Sequence, residues 1–269
     1  MQNNSSSDNP NEDANQGGSA SIGLALPVRD SELFKHSASP YILNFLSDNP
    51  DINVSIRQLS NVTPLSERAT REAVNVLEAN GLVETFHKGN ARRVHINRTR
   101  LDKPQDPILS VPQTHFQTPV RVARHYIEDK LDDILGIILF GSVARGEADR
   151  QSDIDLWVLV GSNHMEQRHE ANKLTQHLAG LQIPPSIAVT DAMNADFEST
   201  WQEIKTTLEA DSQNWASAQR HSFEILVETP TSLLNQADRV DAEKLFGEGI
   251  TLFSTETLER VKMEVLRDE

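Results

Sequence analysis

Apolar residues recur at helical spacing in the first third of the chain, and in short continuous runs further on. Pro40 is expected to open a helix carrying Tyr41, Ile42, Phe45 and Leu46, ended by Asn49-Pro50. A second short helix fits residues 55–60. A third follows an N-cap at Ser66 and runs to about Ala79, with Ala69, Val74 and Leu77 among its apolar positions, before Asn80-Gly81 stops it. Residues 82–86 and 93–96 read as strands around a basic turn at 87–92. Pro119 is then expected to begin a helix through Val122, Ala123, Tyr126, Ile127 and Leu131. Residues 135–140 and 154–160 are apolar enough to be buried strands, and a helix is expected from His164 to Leu178, ended by Gly180. The pattern fades over 181–221, where residues 187–189 suit a short strand. Phe197, Trp201, Ile204 and Leu208 would share one helix face. Residues 221–228 read as a strand. Pro230 introduces a helix, and an apolar run at 249–253 precedes a terminal helix. No internal repeat is present.

These elements divide the 269 residues into a polar tail at 1–30, a helical unit with a hairpin at 31–101, a proline-bearing linker at 102–118 and a larger unit at 119–269. The tail is rich in Asn, Ser, Asp and Gly and is expected to be disordered. It carries no charged-then-apolar leader, and no apolar run approaches the ~18 residues needed to cross a bilayer. A cytoplasmic protein that makes no use of a membrane is therefore expected. The chain has no cysteine, which excludes a disulfide framework, a Cys-ligated zinc and a thiol nucleophile. The nine histidines show no convincing ligand spacing, and neither a nucleophile elbow nor a complete Walker loop is present.

The net charge of −15 is uneven. Residues 31–101 carry nine Lys/Arg against seven Asp/Glu, whereas residues 102–269 carry fifteen against twenty-nine. Arg outnumbers Lys seventeen to eight. The acidity serves solubility, or adaptation to a salty, halophilic cytoplasm. Against that background a locally basic segment is informative.

The densest chemistry lies in residues 137–160, IILFGSVARGEADRQSDIDLWVLV. An apolar run ends in Gly141-Ser142, a polar loop follows, and Asp153-Ile154-Asp155 leads into a second apolar run. Gly141 lets backbone approach a phosphate closely, because it has no Cβ. Ser142 offers a hydroxyl and an N–H near the start of a helix. Asp153 and Asp155, two apart on an expected strand, would project from one face. Paired carboxylates are hard oxygen ligands of the kind that hold Mg²⁺ beside phosphates. Each residue also has a plain structural reading: Gly141 as a tight turn, Ser142 as an N-cap, Arg145 as an ion-pair partner of Glu147 or Asp149.

Taken together, GSVARGEADRQSDIDL resembles the nucleotidyltransferase superfamily that shares a fold with DNA polymerase beta, and most of all its minimal members, often paired with HEPN-domain toxins. The resemblance covers roughly residues 119–254, apart from 181–215. It implies a third carboxylate on a later strand. Glu224 stands at that place, where many members have Asp, and Glu228 is an alternative of the same parity. By resemblance, Asp153, Asp155 and Glu224 would be catalytic and hold Mg²⁺. Gly141, Ser142, Arg145 and Ser152 would bind the phosphates of ATP or another nucleoside triphosphate or order the loop. A nucleoside monophosphate, AMP in the first place, would pass to an acceptor.

Three helices followed by a basic hairpin likewise resemble a winged helix-turn-helix domain over most of residues 33–100. By that resemblance Ser66, Arg68, Thr70, Arg71 and Asn75 would lie on a recognition helix, and Lys88, Arg92 and Arg93 on a wing touching DNA backbone. The expected fold class is α+β, a winged helix followed by a mixed sheet with flanking helices. The expected function is an Mg²⁺-dependent transferase fused to a DNA-binding domain, acting as an antitoxin on a HEPN-type partner and regulating its own promoter. Two rivals remain at this stage: a transcription regulator whose transferase domain senses a nucleotide or binds a partner without catalysis, and an enzyme modifying a small molecule. A homodimer is compatible with each.

Overall fold

The computed structural model describes residues 24–28, 34, 36–102, 105–185, 187, 200–210, 218–235 and 239–266. In chain order its first elements are β1 (Leu24–Ala25), α1 (Ala38–Asp48), β2 (Val54–Ser55), α2 (Ile56–Val62), α3 (Glu67–Ala79), β3 (Val83–Lys88), β4 (Ala91–Ile96) and β5 (Leu101–Asp102). Helix α2 starts where Ser55 and Gln58 form a reciprocal capping box. Ser66 caps α3 through the Ala69 N–H, and Gly81 ends it at a φ of 70°. The strands β2, β4 and β3 form an antiparallel sheet in that spatial order, beside the three helices. Buried Ile42, Leu46, Leu59, Val74, Leu77, Val83 and Val94 fill the space between them.

Three sequence expectations change here. The turn is tighter than 87–92: His87 and Arg92 are paired within the hairpin, and only Gly89 and Asn90 lie outside its strands. Residues 24–28 of the expected tail are docked. Leu24 and Ala25 pair in parallel with β5, Leu26 and Val28 are buried in the N-terminal core, and Asn44 bonds both backbone groups of Val28. Part of the expected linker is also structured. Residues Pro107–Ser110 form a 3-10 turn with Ile108 buried, and α4 (Thr114–Lys130) begins before Pro119 and carries it inside. A proline removes one internal hydrogen bond from such a helix, and buried Phe116 and Val120 either side of it hold the turn in the core.

The chain continues with β6 (Ile134–Phe140), α5 (Gly141–Arg145), β7 (Ile154–Val160), α6 (His164–Gly180), α7 (Trp201–Leu208), β8 (Phe223–Glu228), α8 (Pro230–Asn235), α9 (Arg239–Glu248), β9 (Ile250–Ser254) and α10 (Glu256–Val265). The expected strand at 187–189 and the first residues of the helix expected from Phe197 lie outside the described residues. Strands β8, β7, β6 and β9 make a mixed sheet in that order, with β7 and β8 parallel and the other pairs antiparallel. The molecule is thus mixed α+β.

Alternation sorts the strand residues onto two faces. Ile154, Leu156, Val158 and Val160 of β7 join Phe223, Ile225 and Val227 of β8 in a core covered by α4, α6 and α7. On the opposite face, Ile138, Trp157 and Leu159 pack with Leu233, Ala242, Phe246, Leu258 and Val261 from α8, α9 and α10. Among the described residues no helix is long and apolar enough to cross a membrane.

Candidate functional site

The second face carries the acidic residues. Strand β6 ends at Phe140, and the chain turns at once into α5 through Gly141, whose φ is 73°. A side chain would be strained there, and it would also collide: a Cβ on Gly141 would fall 2.0 Å from Oδ2 of Asp155. The glycine therefore serves a close approach between this turn and the Asp155 carboxylate, and Phe140 is the register partner of Asp155 across β6 and β7. Across the parallel β7–β8 pair, the partner of Asp155 is Glu224. Asp153 is not on the strand as expected but one residue before it, exposed at the mouth of the sheet.

Burial, then Glu224 and Asp153 in turn, push the Asp155 carboxyl up to about 6, and Arg145 opposes them. The three carboxylates thus share one field, with negative charge in excess. Among the described residues, however, no three Asp, Glu, His or Cys side chains are arranged to hold a metal ion by themselves. Asp155 and Glu224 lie side by side in register with Asp153 one residue before β7, so the acids form an open row. Such a row suits Mg²⁺, which is commonly held by one or two carboxylates together with substrate phosphates and water. The donor chemistry and the unbalanced charge around half-buried Asp155 fit a hard divalent cation.

The remaining expected residues have definite places. Arg145 closes α5. Its guanidinium bonds Glu147 at 2.9 Å and Glu248 of α9 at 3.3 Å, so the ion-pair reading holds while its charge still reaches Asp155. Ser152 spends its hydroxyl inside the loop: it accepts from the Asp149 N–H at 2.9 Å and donates to the Asp149 carboxylate at 3.0 Å. It orders the approach to Asp153 rather than offering a free hydroxyl. The α5 turn is braced from outside by Pro112, against which Gly146 packs, and by Gln113, which donates to the Ala148 carbonyl at 2.9 Å. Glu228, the alternative third acid, lies four residues beyond Glu224 on the same face and receives a hydrogen bond from Ser232.

A cavity of about 450 Å³ adjoins this row, walled by Phe140, Gly141, Arg145, Trp157, Leu226 and α9 residues including Lys244. Sequence reasoning missed it. Strand parity puts Trp157 and Leu226 on its floor beside Asp155 and Glu224, whereas α9 comes from a stretch whose position no local pattern reveals.

The expected nucleic-acid residues meet mixed outcomes. Thr70 is fully buried and bonds its hydroxyl to the Ser66 carbonyl, so it is corrected from a contact residue to a core residue of α3. Arg68 and Arg71 are exposed, each pairing with a glutamate one turn away, Glu72 and Glu67. Asn75 accepts from Arg92, which also bonds Glu78 at 2.6 Å and ties the hairpin to α3. Arg93 donates to Gln58 at 2.8 Å. Lys88 is exposed at the hairpin end, and Ser66 is a cap. Between hairpin and helices runs a groove lined by Arg57, Arg71, His87, Asn90 and Arg92. Of these, Arg57, His87 and Asn90 were not expected from sequence.

Comparison with known proteins gives the class first. Residues 124–210 match the family model described as polymerase beta, nucleotidyltransferase. Over that span the chain is similar to nucleotidyltransferases of the polymerase beta kind, and the span includes every expected phosphate-side residue and the Asp pair but ends before Glu224. At the level of particular proteins, three chains of solved structures match. A toxin-antitoxin crystallised with AMP-PNP is 16% identical with a TM-score of 0.31, the match covering 54% of this chain and 82% of that one. Two mutants of the toxin-antitoxin MntA-HpeT are 15% identical, with TM-scores of 0.29 and 0.27, covering 55% of this chain and 80% and 79% of theirs. No curated protein matches.

Proposed function

We propose that the chain is a metal-dependent nucleotidyltransferase that moves a nucleoside monophosphate, AMP in the first place, from a triphosphate to an acceptor hydroxyl. The observation that carries this reading is the contact of the Asp155 carboxylate with the side-chain-free Gly141 turn, with Glu224 beside it in register and Asp153 at its mouth. The acceptor oxygen bonds to the α-phosphorus, the bond from that phosphorus to the β-bridging oxygen breaks, and pyrophosphate leaves with the electron pair. The hydroxyl proton is released to the carboxylate row. Asp153, Asp155 and Glu224 would hold the cation, Mg²⁺ being the hard ion such oxygens favour; when bound, it neutralises phosphate charge and acidifies the attacking hydroxyl. The chain's own share is positioning and charge. Gly141 lets the phosphate-facing turn close on the Asp155 carboxylate, Ser142 offers its N–H at the same turn, Arg145 supplies positive charge, and Ser152 holds the loop that presents Asp153.

The N-terminal helices and antiparallel hairpin support a DNA-binding winged helix as the second half of this reading, with the groove of Arg57, Arg71 and Arg92 as the face that meets phosphates. The role of antitoxin, modifying a HEPN-type partner and governing its own promoter, rests on the likeness of the Gly141–Asp155 segment to minimal nucleotidyltransferases. A second reading, a regulator that binds nucleotide without transfer, draws on the open arrangement of the three acids.

The deciding experiment incubates the purified chain with α-labelled ATP, Mg²⁺ and lysate as acceptor source, alongside Asp153→Ala and Asp155→Ala. The enzyme reading expects labelled acceptor with the wild type and a loss of at least a hundredfold in both variants. Nucleotide binding without label transfer would instead establish the regulator.

A further inference from the structure

The row of residues on the substrate face of β7 and β8 changes character along its length. Asp155 is paired in register with Glu224, Trp157 with Leu226, and Leu159 with Glu228. Same-face residues are two apart, so Glu228 stands about 13 Å beyond Glu224 at ~3.3 Å per residue. The acidic end therefore gives way to an apolar floor, and the floor ends at another carboxylate. Leu226, midway along the edge strand β8, is 39% exposed, and the cavity opens over it. Trp157 is held edge-on to Phe246 of α9, their ring centroids 5.9 Å apart, which fixes the back wall. Leu233 of α8 and Leu245 of α9 complete the apolar lining. Two cations border the space. Arg145 is already paired, but no acid among the described residues forms an ion pair with Lys244.

We propose that this cavity is the nucleoside pocket of the transferase: the base lies over Leu226 and Trp157 with an exocyclic amine directed at Glu228, while Lys244 meets the triphosphate. This rests on the nucleotidyltransferase reading and adds that the site favours amine-bearing bases over uracil. The order of chemistry along the row matches the order along a nucleotide, phosphate then sugar then base. The volume lies within the usual span for small-ligand sites. A carboxylate accepts hydrogen bonds and donates none, so Glu228 favours a base that presents an N–H₂ group and disfavours one that presents a carbonyl there. The Ser232 hydroxyl, which donates to Glu228, fixes the carboxylate's orientation. Cytosine, adenine and guanine carry such an amine; uracil does not.

The test is calorimetric titration of the full-length chain with the four ribonucleoside triphosphates and with inorganic tripolyphosphate, all with Mg²⁺ and without acceptor. Amine-bearing nucleotides are expected to bind at least tenfold more tightly than tripolyphosphate, and CTP at least fivefold more tightly than UTP, a pair matched in ring size. Glu228→Gln keeps the side chain's shape but adds a donor, and should bring the CTP-to-UTP ratio close to one. Leu226→Gln should remove most of the advantage of nucleotides over tripolyphosphate and leave tripolyphosphate affinity unchanged. Lys244→Ala should weaken tripolyphosphate and nucleotides by a similar factor. Thermal melts of each variant verify folding, and Glu228→Gln carries the test if Leu226→Gln melts early. A wild-type CTP-to-UTP ratio that persists in Glu228→Gln overturns the base assignment, even where label transfer still depends on Asp155. A wild-type chain that binds neither nucleotide nor tripolyphosphate overturns the nucleotidyltransferase reading along with it.

Discussion

At the scale of single residues, Asp155 is the position where structure and chemistry press hardest on each other. Its carboxylate lies against Gly141 and is driven up to about 6 by burial and by its acidic neighbours. Its ordinary unfolded value is 3.8. The native state therefore binds this proton more tightly than the unfolded state, and folding loses stability as pH rises from about 4 through 6. Asp155→Asn removes the charge while keeping the shape. In metal-free buffer it should raise stability above pH 7 by about 1 kcal/mol, the full two-unit shift being reduced for a half-exposed group. The gain should vanish near pH 4. Urea melts at pH 4, 6 and 8 check this, and a gain that is constant with pH would show that the carboxylate is not the cause.

At the scale of elements, the β3–β4 hairpin shows how one residue type divides into two jobs. Arg92 is three-quarters buried between Glu78, Asn75 and Thr85, so it fastens the hairpin to α3. Lys88 is exposed at the tip, and its side chain forms no hydrogen bond or ion pair among the described residues. Arg92→Ala should cost about 1 kcal/mol in chemical denaturation, because Glu78 loses a charged hydrogen-bond partner. Lys88→Ala should leave stability unchanged and reduce the salt slope of the proposed DNA binding by about one. A loss of stability in Lys88→Ala, or none in Arg92→Ala, would reverse the assignment. The sequence marked both as wing cations. It could not separate them, because two partners of Arg92, Glu78 and Asn75, are fourteen and seventeen positions away and meet it only when the hairpin folds back on α3.

For the molecule as a whole, the N-terminal unit and the transferase sheet are joined by helices they share. Lys262 of α10 is buried, bonds Thr251 of β9 at 2.8 Å and lies 3.9 Å from Asp48 of α1. Helix α9 is a common wall. Lys244, Leu245 and Glu248 face the cavity, while Gly247 packs on α2 so closely that a Cβ would fall 1.9 Å from the Val62 carbonyl oxygen. Gly247→Ala must lift α9 away from α2. Overpacking of this kind costs about 1–3 kcal/mol. The expected outcome is a lower melting temperature together with weaker nucleotide binding, since the cavity wall moves with the helix. Calorimetry showing intact binding in a destabilised variant would mean that α9 does not link the two halves.

What local pattern determined by itself was the identity of most elements and the turn-then-acid layout of the Gly141–Asp155 segment. Alternation, caps and turn residues act over a few positions, and the strand at 154–160 and the cap at Ser66 follow from such rules alone. The resemblance pointed to Glu224, which is the register partner of Asp155. Sequence reading also misled: Asp153 precedes the strand, Thr70 faces the core, and Pro119 sits inside a helix that starts five residues earlier, since tertiary packing outweighs local propensity. Only the folded chain decided that Arg145 meets Glu248 and that α9 closes a cavity over Trp157 and Leu226. It alone also docked residues 24–28 into the N-terminal core. Those contacts join residues tens to more than a hundred positions apart, and their free energy exists only once the intervening chain is ordered.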